Sequence, residues 1–573
     1  MSTKISRYTA YVSLMLALPA LTGCIEETFP SSSATSEQVT NSSTALESIV
    51  NSLTSYTMSY NVYGASDYTD AGIPSCMLAR DRMCEDYPVS SPDWDWYYSV
   101  ATGSSSYWGG YPYYYFYTFI DKANDMLKVI DPDNVSSDTR HMVGNLYGFR
   151  AMCYMDLTRM FEFQPTGYPQ LDNQAMADNI IGLTVPIVEA RDYTVSEYVA
   201  NPRAPFYTMY RFIMTDLDLA EELLEGFTRS KVSYLDQSVI YGFKARLWLE
   251  MATRFQRSQE DLALQLGAEG SGDGYHDLGI TSALDCYRNA LSYADKVINS
   301  GYTPMSESEW HDPVNGFNTP NNSWVWGSYI TTAEERPSRW YAFHGLMASD
   351  TSWGWATDEY GMWQCISSSL YSTIPDADWR KRSWIDPADA GKKNVYTKYS
   401  SNQTEANFRT IPAYANLKFH VPDLVNYDSG LLCSVPFMRV EEMYLLRAEA
   451  LYYTDGLGAA VSALESFVNT YRYTDGSYTC TASNFNNFID KLMNQRRIEL
   501  WGEGLVYFDY KRLRLGVNRA YTGTNYPETY RMVTSSGCVA PWMNCYITEY
   551  AVSMKDAAFK GNPEFSNVVK AVN

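Results

Sequence analysis

The clearest hydrophobic pattern of the chain lies between residues 437 and 514. Apolar residues recur there at three- and four-residue steps, the spacing of side chains that share one face of a helix. Asp455-Gly456 separates two such stripes, so the pattern predicts two antiparallel helices in a unit of about 34 residues, the length of one tetratricopeptide repeat. The first stripe is Val440, Tyr444, Ala448 and Leu451, and the second is Ala460, Leu464 and Phe467.

A short segment of this unit is repeated elsewhere in the chain. The segments YGFRA (147–151), YGFKA (241–245) and YLLRA (444–448) are versions of one pattern, each inside a helical run. Internal similarity of this kind indicates stacked helix pairs that bury a shared core. We therefore predict a mainly α fold with tetratricopeptide-like helix pairs as scaffold and large irregular, aromatic-rich insertions at about 60–115 and 300–435. Function is expected in the insertions, because loops on a rigid scaffold carry most binding residues.

Further helices are predicted from the same periodicity. A first helix covers 45–58, and the later ones are 116–130 paired with 139–161, 207–225 paired with 234–254, and 283–299. The Gly-rich interval 267–277 is predicted to be a loop and lacks the GxxxxGK spacing of a phosphate-binding loop.

Several of these segments resemble the SusD/RagB family. The resemblance is carried by RVEEMYLLRAEALYY (439–453), RRIELWGEG (496–504), GFRAMCYMDLTRMF (148–161) and LTVPIV (183–188). Membership would imply a surface lipoprotein that captures nutrients for a SusC-like TonB-dependent outer-membrane transporter, with the repeats toward that transporter. The chain departs from the family pattern at Gln495, where Glu is usual, at Val506, where Arg is frequent, and over 551–559.

The N-terminus carries a predicted export signal. Lys4 and Arg7 precede a short apolar run (11–22), which is too short for a membrane-spanning helix, and Leu21-Thr22-Gly23-Cys24 resembles a bacterial lipobox. We predict a signal peptide over 1–23, lipidation at Cys24, a flexible tether over 24–44 and a body over 45–573. The acidic Glu26-Glu27 pair resembles the export tag of lipoproteins on the outer face of the outer membrane.

Charge and cysteine content narrow the function further. The net charge of −22 opposes binding to nucleic acid. The chain has ten cysteines, and Cys76 with Cys84 or Cys538 with Cys545 could close short disulfide loops in an exported protein. No CxxC motif occurs and the five histidines are scattered, so we expect no metal site, redox chemistry or cofactor.

Tryptophan distribution points to a binding surface. Nine of the 15 tryptophans fall within 310–384, where helical periodicity fades, and we expect that a loop region cannot bury all nine. Indole faces stack on sugar rings while polar groups bind the hydroxyls, so the predicted ligand is an oligosaccharide or polysaccharide. The candidate ligand-binding residues are Trp94, Trp96, Trp324, Trp326, Trp353 and Trp355, with Arg82, Asn322 and Asp350 as polar partners.

Three alternatives remain open at this point. Some members of the family serve peptide uptake, and tetratricopeptide grooves bind peptides or proteins. A glycoside hydrolase would need two carboxylates, and Asp350, Asp358 and Glu359 lie beside tryptophans, but no GxSxG or HExxH motif occurs and we predict no enzyme.

The charged residues at helical spacing are interpreted as structural ion pairs. They are Glu441, Glu442, Arg447, Glu449, Glu499, Glu503, Asp509 and Arg512.

Overall fold

The fold is mainly helical. The computed structural model describes residues 42–64, 68–91, 106–130, 135–333, 335–357, 359–392, 411–546 and 560–572. The helices of the first half are α1 (Ser43–Tyr56), α2 (Ile73–Met83), α3 (Ser106–Leu127), α4 (Arg140–Phe161), α5 (Pro169–Ala177), α6 (Val195–Val199), α7 (Phe206–Leu223), α8 (Gln237–Arg257), α9 (Gln259–Ala268) and α10 (Ala283–Ile298). Those of the second half are α11 (Glu307–Trp310), α12 (Phe343–Met347), α13 (Ser368–Ser372), α14 (Tyr427–Gly430), α15 (Val440–Thr454), α16 (Leu457–Tyr471), α17 (Phe485–Glu499) and α18 (Val506–Leu513).

The long helices form a continuous stack. Helix α3 packs on α4, α4 on α7, α7 on α8, α8 on α10, α10 on α15, and α15 on α16. Each helix buries its apolar face against the next, as helix-pair repeats do. The predicted tetratricopeptide-like scaffold is confirmed, and most predicted helices end within a few residues of the observed ones.

The first two copies of the five-residue motif lie where neighbouring elements pack closely. A Cβ atom on Gly148 would lie 2.6 Å from Leu235 Cδ1, and one on Gly242 would lie 2.2 Å from Met438 Sδ. Any larger side chain at these two positions would have to push the neighbour away. The glycines of the first two motif copies are therefore packing residues of the scaffold.

The basic residue of each motif copy binds an acidic residue on an adjacent helix. Arg150 pairs with Asp216 at 2.7 Å, Lys244 with Asp218 at 2.6 Å, and Arg447 with Asp295 at 2.7 Å. The other predicted structural ion pairs are also observed. Glu441 and Glu503 bind Arg439, Glu442 binds Arg246, Glu449 and Asp509 bind Arg512, and Glu499 binds Arg472.

Two short antiparallel sheets complete the scaffold. Strand β1 (Leu183–Pro186) pairs with β2 (Arg203–Pro205), and β3 (Trp324–Gly327) pairs with β4 (Pro436–Arg439). Because β4 leads directly into α15, the second sheet fastens the 300–435 insertion to the helix stack. Single-turn 3₁₀ helices occur at Trp379–Ser383, Glu528–Tyr530 and Pro541–Met543.

The first insertion is more regular than predicted. Helix α2 is buried along its whole length, and α3 begins ten residues before the predicted start at 116. Helix α3 contains a tyrosine-rich run over 111–117, in which Tyr111, Tyr113, Tyr115 and Tyr117 are buried and Tyr114 is exposed. A helix that is buried all round has no solvent-exposed polar face and therefore no amphipathic period, which explains why the hydrophobic pattern missed α2 and the first ten residues of α3.

The two disulfides that the sequence allowed, Cys76–Cys84 and Cys538–Cys545, are not formed. Nine cysteines lie in the described residues, all nine are free thiols, and eight of these are buried. They behave as small apolar core residues. In the part of the chain that the structure covers, no helix combines the length and the apolar character needed to cross a membrane. Cys24 and the predicted signal peptide lie outside the described residues.

Candidate functional site

The structure buries most of the tryptophans that were expected to bind. Of the nine between residues 310 and 384, seven are buried and two, Trp340 and Trp363, are half-buried. The expectation that not all nine would be buried is therefore met by Trp340 and Trp363 alone. The other seven are covered because the described parts of the 300–435 insertion pack onto the helix stack and form small cores of their own.

Trp324 and Trp326 are core residues of strand β3. Trp326 packs edge-on against Phe243 of α8, with ring centroids 5.5 Å apart, and its Nε1–H donates to the Ser233 carbonyl. Trp324 is 1% exposed. Both rings are almost completely buried, so neither offers a face to a sugar. The prediction that Trp324 and Trp326 stack on a ligand is therefore corrected: both are core residues.

Trp353 is also buried, but it supports a loop that matters for the site. Its indole lies in a small core with Ala342, Val421 and Leu431, and its Nε1–H donates to the Asp423 carbonyl at 3.3 Å. A Cβ atom on Gly430 would lie 2.6 Å from its ring. Trp353 is therefore the packing base of the 421–433 loop and not a ligand platform.

Of the three predicted polar partners, two are buried and one, Asn322, is exposed. Asp350 is buried and accepts a hydrogen bond from His420 Nδ1 at 3.0 Å. Arg82 is buried over the Tyr87 ring and donates to the Tyr87 carbonyl. Asn322 is exposed just before β3, and its carbonyl accepts the Thr303 N–H. Asp350 and Arg82 are structural residues in this fold.

Accessible aromatic rings meet at a different place, which we call the Trp340 cluster: Arg339, Trp340, Tyr360 and Tyr427. The Trp340 and Tyr360 ring centroids are 5.4 Å apart, and Trp340 and Tyr360 are both half-buried. Tyr427 is 39% exposed. The Arg339 guanidinium carbon lies 4.4 Å from the Trp340 ring centroid and 5.3 Å from that of Tyr427. The Trp340 and Tyr360 rings are in contact, and the Arg339 guanidinium links Trp340 to Tyr427.

Trp355 forms the floor of this cluster. Its ring is 9% exposed, lies 5.0 Å from Trp340 and 5.3 Å from Tyr360, and its underside meets the buried Tyr68. The Trp355 Nε1–H donates to the Trp340 carbonyl at 3.1 Å. Of the described tryptophans predicted to bind, Trp355 is the one at the observed surface, where it orients the rings above it.

Two glycines allow the backbone to pack closely at the turn that carries Arg339 and Trp340. The Ser338 carbonyl accepts the N–H groups of Tyr341 and Ala342, and a Cβ atom on Gly345 would lie only 2.0 Å from the Arg339 carbonyl oxygen. Gly354 has φ +83° and would place a Cβ atom 2.3 Å from the Gly345 carbonyl. The backbone can pack this closely only without side chains at these positions. The turn is therefore rigid.

The loop that carries Tyr427 is also fixed by polar contacts. Asp423 accepts the N–H groups of Val425 and Asn426, and the Asn426 side chain caps α14 by accepting the Asp428 N–H. Arg336 forms an ion pair with Asp428, which ties this loop to the segment before Arg339. The rings of the Trp340 cluster are thus preorganised before any ligand binds.

A second aromatic pair lies next to the cluster in the chain. Tyr341 follows Trp340, and its ring centroid is 5.0 Å from that of Tyr60, which is 49% exposed. The Asp70 carboxylate accepts the N–H groups of Val62 and Tyr63 and so fixes the loop after α1. Aromatic side chains from the first insertion therefore reach the second one.

Trp94 and Trp96 lie outside the described residues. The chain is last described at Ser91, which lies against Gly361, and the neighbouring Ser90 hydroxyl donates to the Gly361 carbonyl at 2.7 Å. Ser91, the described residue that precedes the gap at 92–105, therefore lies beside Gly361.

The side chains at this surface are suited to binding a ligand. Half-exposed rings offer stacking faces to the apolar side of a pyranose, and a guanidinium and phenol hydroxyls offer hydrogen bonds to its substituents. Asp350, one of the carboxylates considered for hydrolysis, is buried beneath the surface, and Asp358 lies outside the described residues. No cluster of metal-ligating side chains occurs among the residues that the structure describes.

The sequence contained a signal for this surface that periodicity did not reveal. Two arginines and two adjacent aromatic residues occur within RPSRWY (336–341), a segment with Pro and Ser and no helical stripe. Large rings and cations in such a segment are candidates for an exposed turn. The residues that were missed are Arg336, Arg339, Trp340, Tyr341, Tyr360, Tyr427 and Tyr60.

Two family models match the sequence. The model of the SusD family matches residues 321–548, and a second model, described as starch-binding associating with outer membrane, matches residues 29–249. Together they cover the first insertion, most of the second insertion and most of the helix stack. Among curated proteins, none matches the sequence significantly.

Solved structures from Bacteroides share the fold. A SusD-like carbohydrate-binding protein from Bacteroides vulgatus is 18% identical, with a TM-score of 0.63, over 91% of this chain and 98% of its own. A surface glycan-binding protein from Bacteroides thetaiotaomicron, solved in complex with laminarihexaose, is 12% identical, with a TM-score of 0.61, over 91% of this chain and 99% of its own. At these identities the likeness establishes the fold.

Proposed function

Because the chain belongs to the SusD/RagB family, we propose that it is a non-catalytic glycan-binding lipoprotein that captures an oligosaccharide or polysaccharide at the cell surface. The bound glycan would pass to a SusC-like TonB-dependent transporter in the outer membrane. Two relatives support this proposal: the Bacteroides vulgatus structure is described as carbohydrate binding, and the Bacteroides thetaiotaomicron protein was solved with a bound glucan hexamer.

The observation that carries the proposal is the Trp340 cluster. Its rings are half-exposed and held by a turn with close backbone contacts and by an ion-paired loop, whereas most of the other tryptophans in this insertion are covered. Exposing large rings to water is unfavourable, so a rigid group of them indicates a binding surface. Trp94 and Trp96 are retained as further proposed contacts, because Ser91, which precedes them in the chain, lies against Gly361 next to Tyr360.

Binding is tested by combining a glycan array with calorimetry on the full chain in detergent. Loss of one stacking ring costs roughly 1–3 kcal/mol, so Trp340→Ala should weaken binding about tenfold while the melting temperature changes little. Trp353→Ala should instead destabilise the protein by about 3–5 kcal/mol, because its indole is buried under the 421–433 loop.

Trp363→Ala is the matched control. Trp363 is half-buried like Trp340, but it packs against a different small core that contains Cys365 and Ile385. Its removal should leave glycan affinity unchanged. Equal losses of affinity at Trp340 and Trp363, or shortening of the glycan during incubation, would overturn the proposed function.

The proposed membrane anchor is tested separately. Cys24→Ala removes the thiol that would carry the diacylglycerol, and two or more acyl chains are needed for stable anchoring. The variant should appear in the soluble fraction, whereas the wild type should stay in the outer-membrane pellet. Retention of the variant in the pellet would contradict lipidation at Cys24.

A further inference from the structure

Arg339 is set up differently from the other arginine of its turn. Arg336 forms an ion pair with Asp428, whereas Arg339 forms no ion pair or side-chain hydrogen bond in the part of the chain that the structure describes. Its guanidinium instead lies over the rings of Trp340 and Tyr427, 4.4 and 5.3 Å from the two centroids. A half-buried cation in contact with two rings thus keeps its N–H groups for a ligand.

The carboxylates of the Tyr427 loop and the one next to Tyr360 in the chain have other hydrogen-bond partners. Asp428 is held by Arg336, and Asp423 accepts the Ser429 hydroxyl and two backbone N–H groups. The carboxylate of Glu359 accepts a hydrogen bond from the Tyr360 hydroxyl, and burial together with this acidic neighbour raises the pKa of Tyr360. Arg339 is therefore the group of the Trp340 cluster whose positive charge lacks a counterion within the described residues.

We propose that Arg339 selects glycans that carry an anionic group, a uronic acid carboxylate or a sulfate ester, on the sugar that stacks at Trp340. This inference rests on the proposed glycan-binding function. Guanidinium groups bind carboxylate and sulfate oxygens through two parallel N–H donors, and such charged hydrogen bonds are about twice as strong as neutral ones. Contact with the aromatic rings restricts the side chain before binding, so less entropy is lost when the anion arrives.

The geometry distinguishes this role from a general stacking role. A neutral sugar would use the ring faces and lose little if the cation were replaced by a neutral hydrogen-bond donor. An anionic sugar would lose the charge pairing as well. Replacement of Arg339 should therefore affect charged and uncharged forms of one glycan differently, whereas removal of Trp340 should affect both.

The first test is an array that carries neutral, uronate and sulfated oligosaccharides, probed with the full chain in detergent. We expect the strongest binders to be anionic. Calorimetry then compares a galacturonate hexamer with its methyl ester, and a sulfated galactan hexamer with its desulfated form, which distinguishes carboxylate from sulfate. The wild type should bind one of the charged forms at least about tenfold tighter than its uncharged partner.

Arg339→Gln keeps an amide donor and removes the charge, so it should abolish this preference while leaving affinity for the uncharged form within about twofold. Arg339→Lys should restore part of it, because the charge returns without the two-donor geometry. Arg288→Gln, at an arginine whose side chain is 61% exposed on α10, is the matched control and should change nothing.

The outcomes separate this inference from the function beneath it. Neutral glycans as the strongest binders, or equal losses for charged and uncharged forms in Arg339→Gln, would overturn the anionic preference and leave the glycan-binding function in place if Trp340→Ala still weakens binding. Absence of binding to every glycan on the array would overturn both.

Discussion

Arg472 and Glu499 form a double hydrogen bond that is completely shielded from solvent. Arg472 Nε donates to Glu499 Oε2 at 2.7 Å and Nη2 donates to Oε1 at 2.9 Å, and both side chains are 0% exposed. The same carboxylate also accepts from Arg380 and Arg439. Burial by itself would raise the pKa of Glu499, but the guanidinium groups of Arg472 and Arg439 outweigh it and hold the pKa well below its usual range.

We predict that Glu499→Gln is strongly destabilising. It leaves three buried guanidinium groups around a neutral amide, and removal of one partner from a buried ion pair typically costs about 3–5 kcal/mol. Urea unfolding measures this loss. The control is Asp295→Asn, which removes the partly exposed partner of Arg447 and should cost less than about 1 kcal/mol. Equal losses of unfolding free energy in the two variants would show that the buried network stabilises the fold no more than an exposed ion pair does.

We predict that Gly345→Ala damages the ligand surface through the backbone. The new methyl group would lie 2.0 Å from the Arg339 carbonyl, so the turn that presents Arg339 and Trp340 must shift. Stability should fall by about 1–3 kcal/mol, and glycan affinity should fall as well. Gly458→Ala in α16, where no atom outside the neighbouring helix backbone lies within 4 Å of the new Cβ, should leave affinity unchanged and should not lower stability. Unchanged affinity in Gly345→Ala would refute the rigid turn.

We predict a contribution of His344 to acid sensitivity. Burial lowers the pKa of His344 from 6.5 to about 4, so the imidazole stays neutral in the folded protein while the unfolded chain takes up a proton. Stability is therefore present above about pH 6.5 and is lost as the pH falls toward 4, by about 3 kcal/mol in total.

This contribution is measured as a difference between two proteins. Unfolding free energies of the wild type and His344→Gln should be compared at several pH values between 7.5 and 4, so that titrations common to both cancel. The variant should lose less stability over this range. Parallel curves for the two proteins would show that the pKa of His344 is not lowered by folding.

We predict that the buried cysteines are reduced thiols in the native protein. Burial raises the pKa of Cys365 to about 12 and that of Cys76 further, so their thiolate forms are scarce and alkylation of the folded protein should be slow. Cys538, which is half-buried, should react first. Mass spectrometry after alkylation in denaturant without reductant should find the thiols of Cys76, Cys84, Cys538 and Cys545 all labelled. Unlabelled pairs would instead indicate a disulfide.

The helix stack was predictable because helical periodicity is a local property. Ala448 and Leu451, or Leu464 and Phe467, share a helix face whatever surrounds them, and the spacing of such residues is visible in one chain. The charged residues near them were also interpretable, since at helical spacing between apolar stripes they find partners on adjacent helices, as Arg447 does with Asp295.

The position of the binding surface depended on contacts between distant segments. Trp353 and Trp340 stand in similar sequence contexts, yet Trp353 is buried by residues 421–433 and Trp340 is left half-exposed beside Tyr427, which belongs to that same loop. Whether an indole is covered is decided by which loop packs onto it, and no local pattern records that choice. The sequence by itself determined the repeat scaffold and the abundance of aromatic residues in the insertions, because both follow from residue type and spacing. Only the tertiary structure decided which rings remain free, because burial is settled by long-range packing.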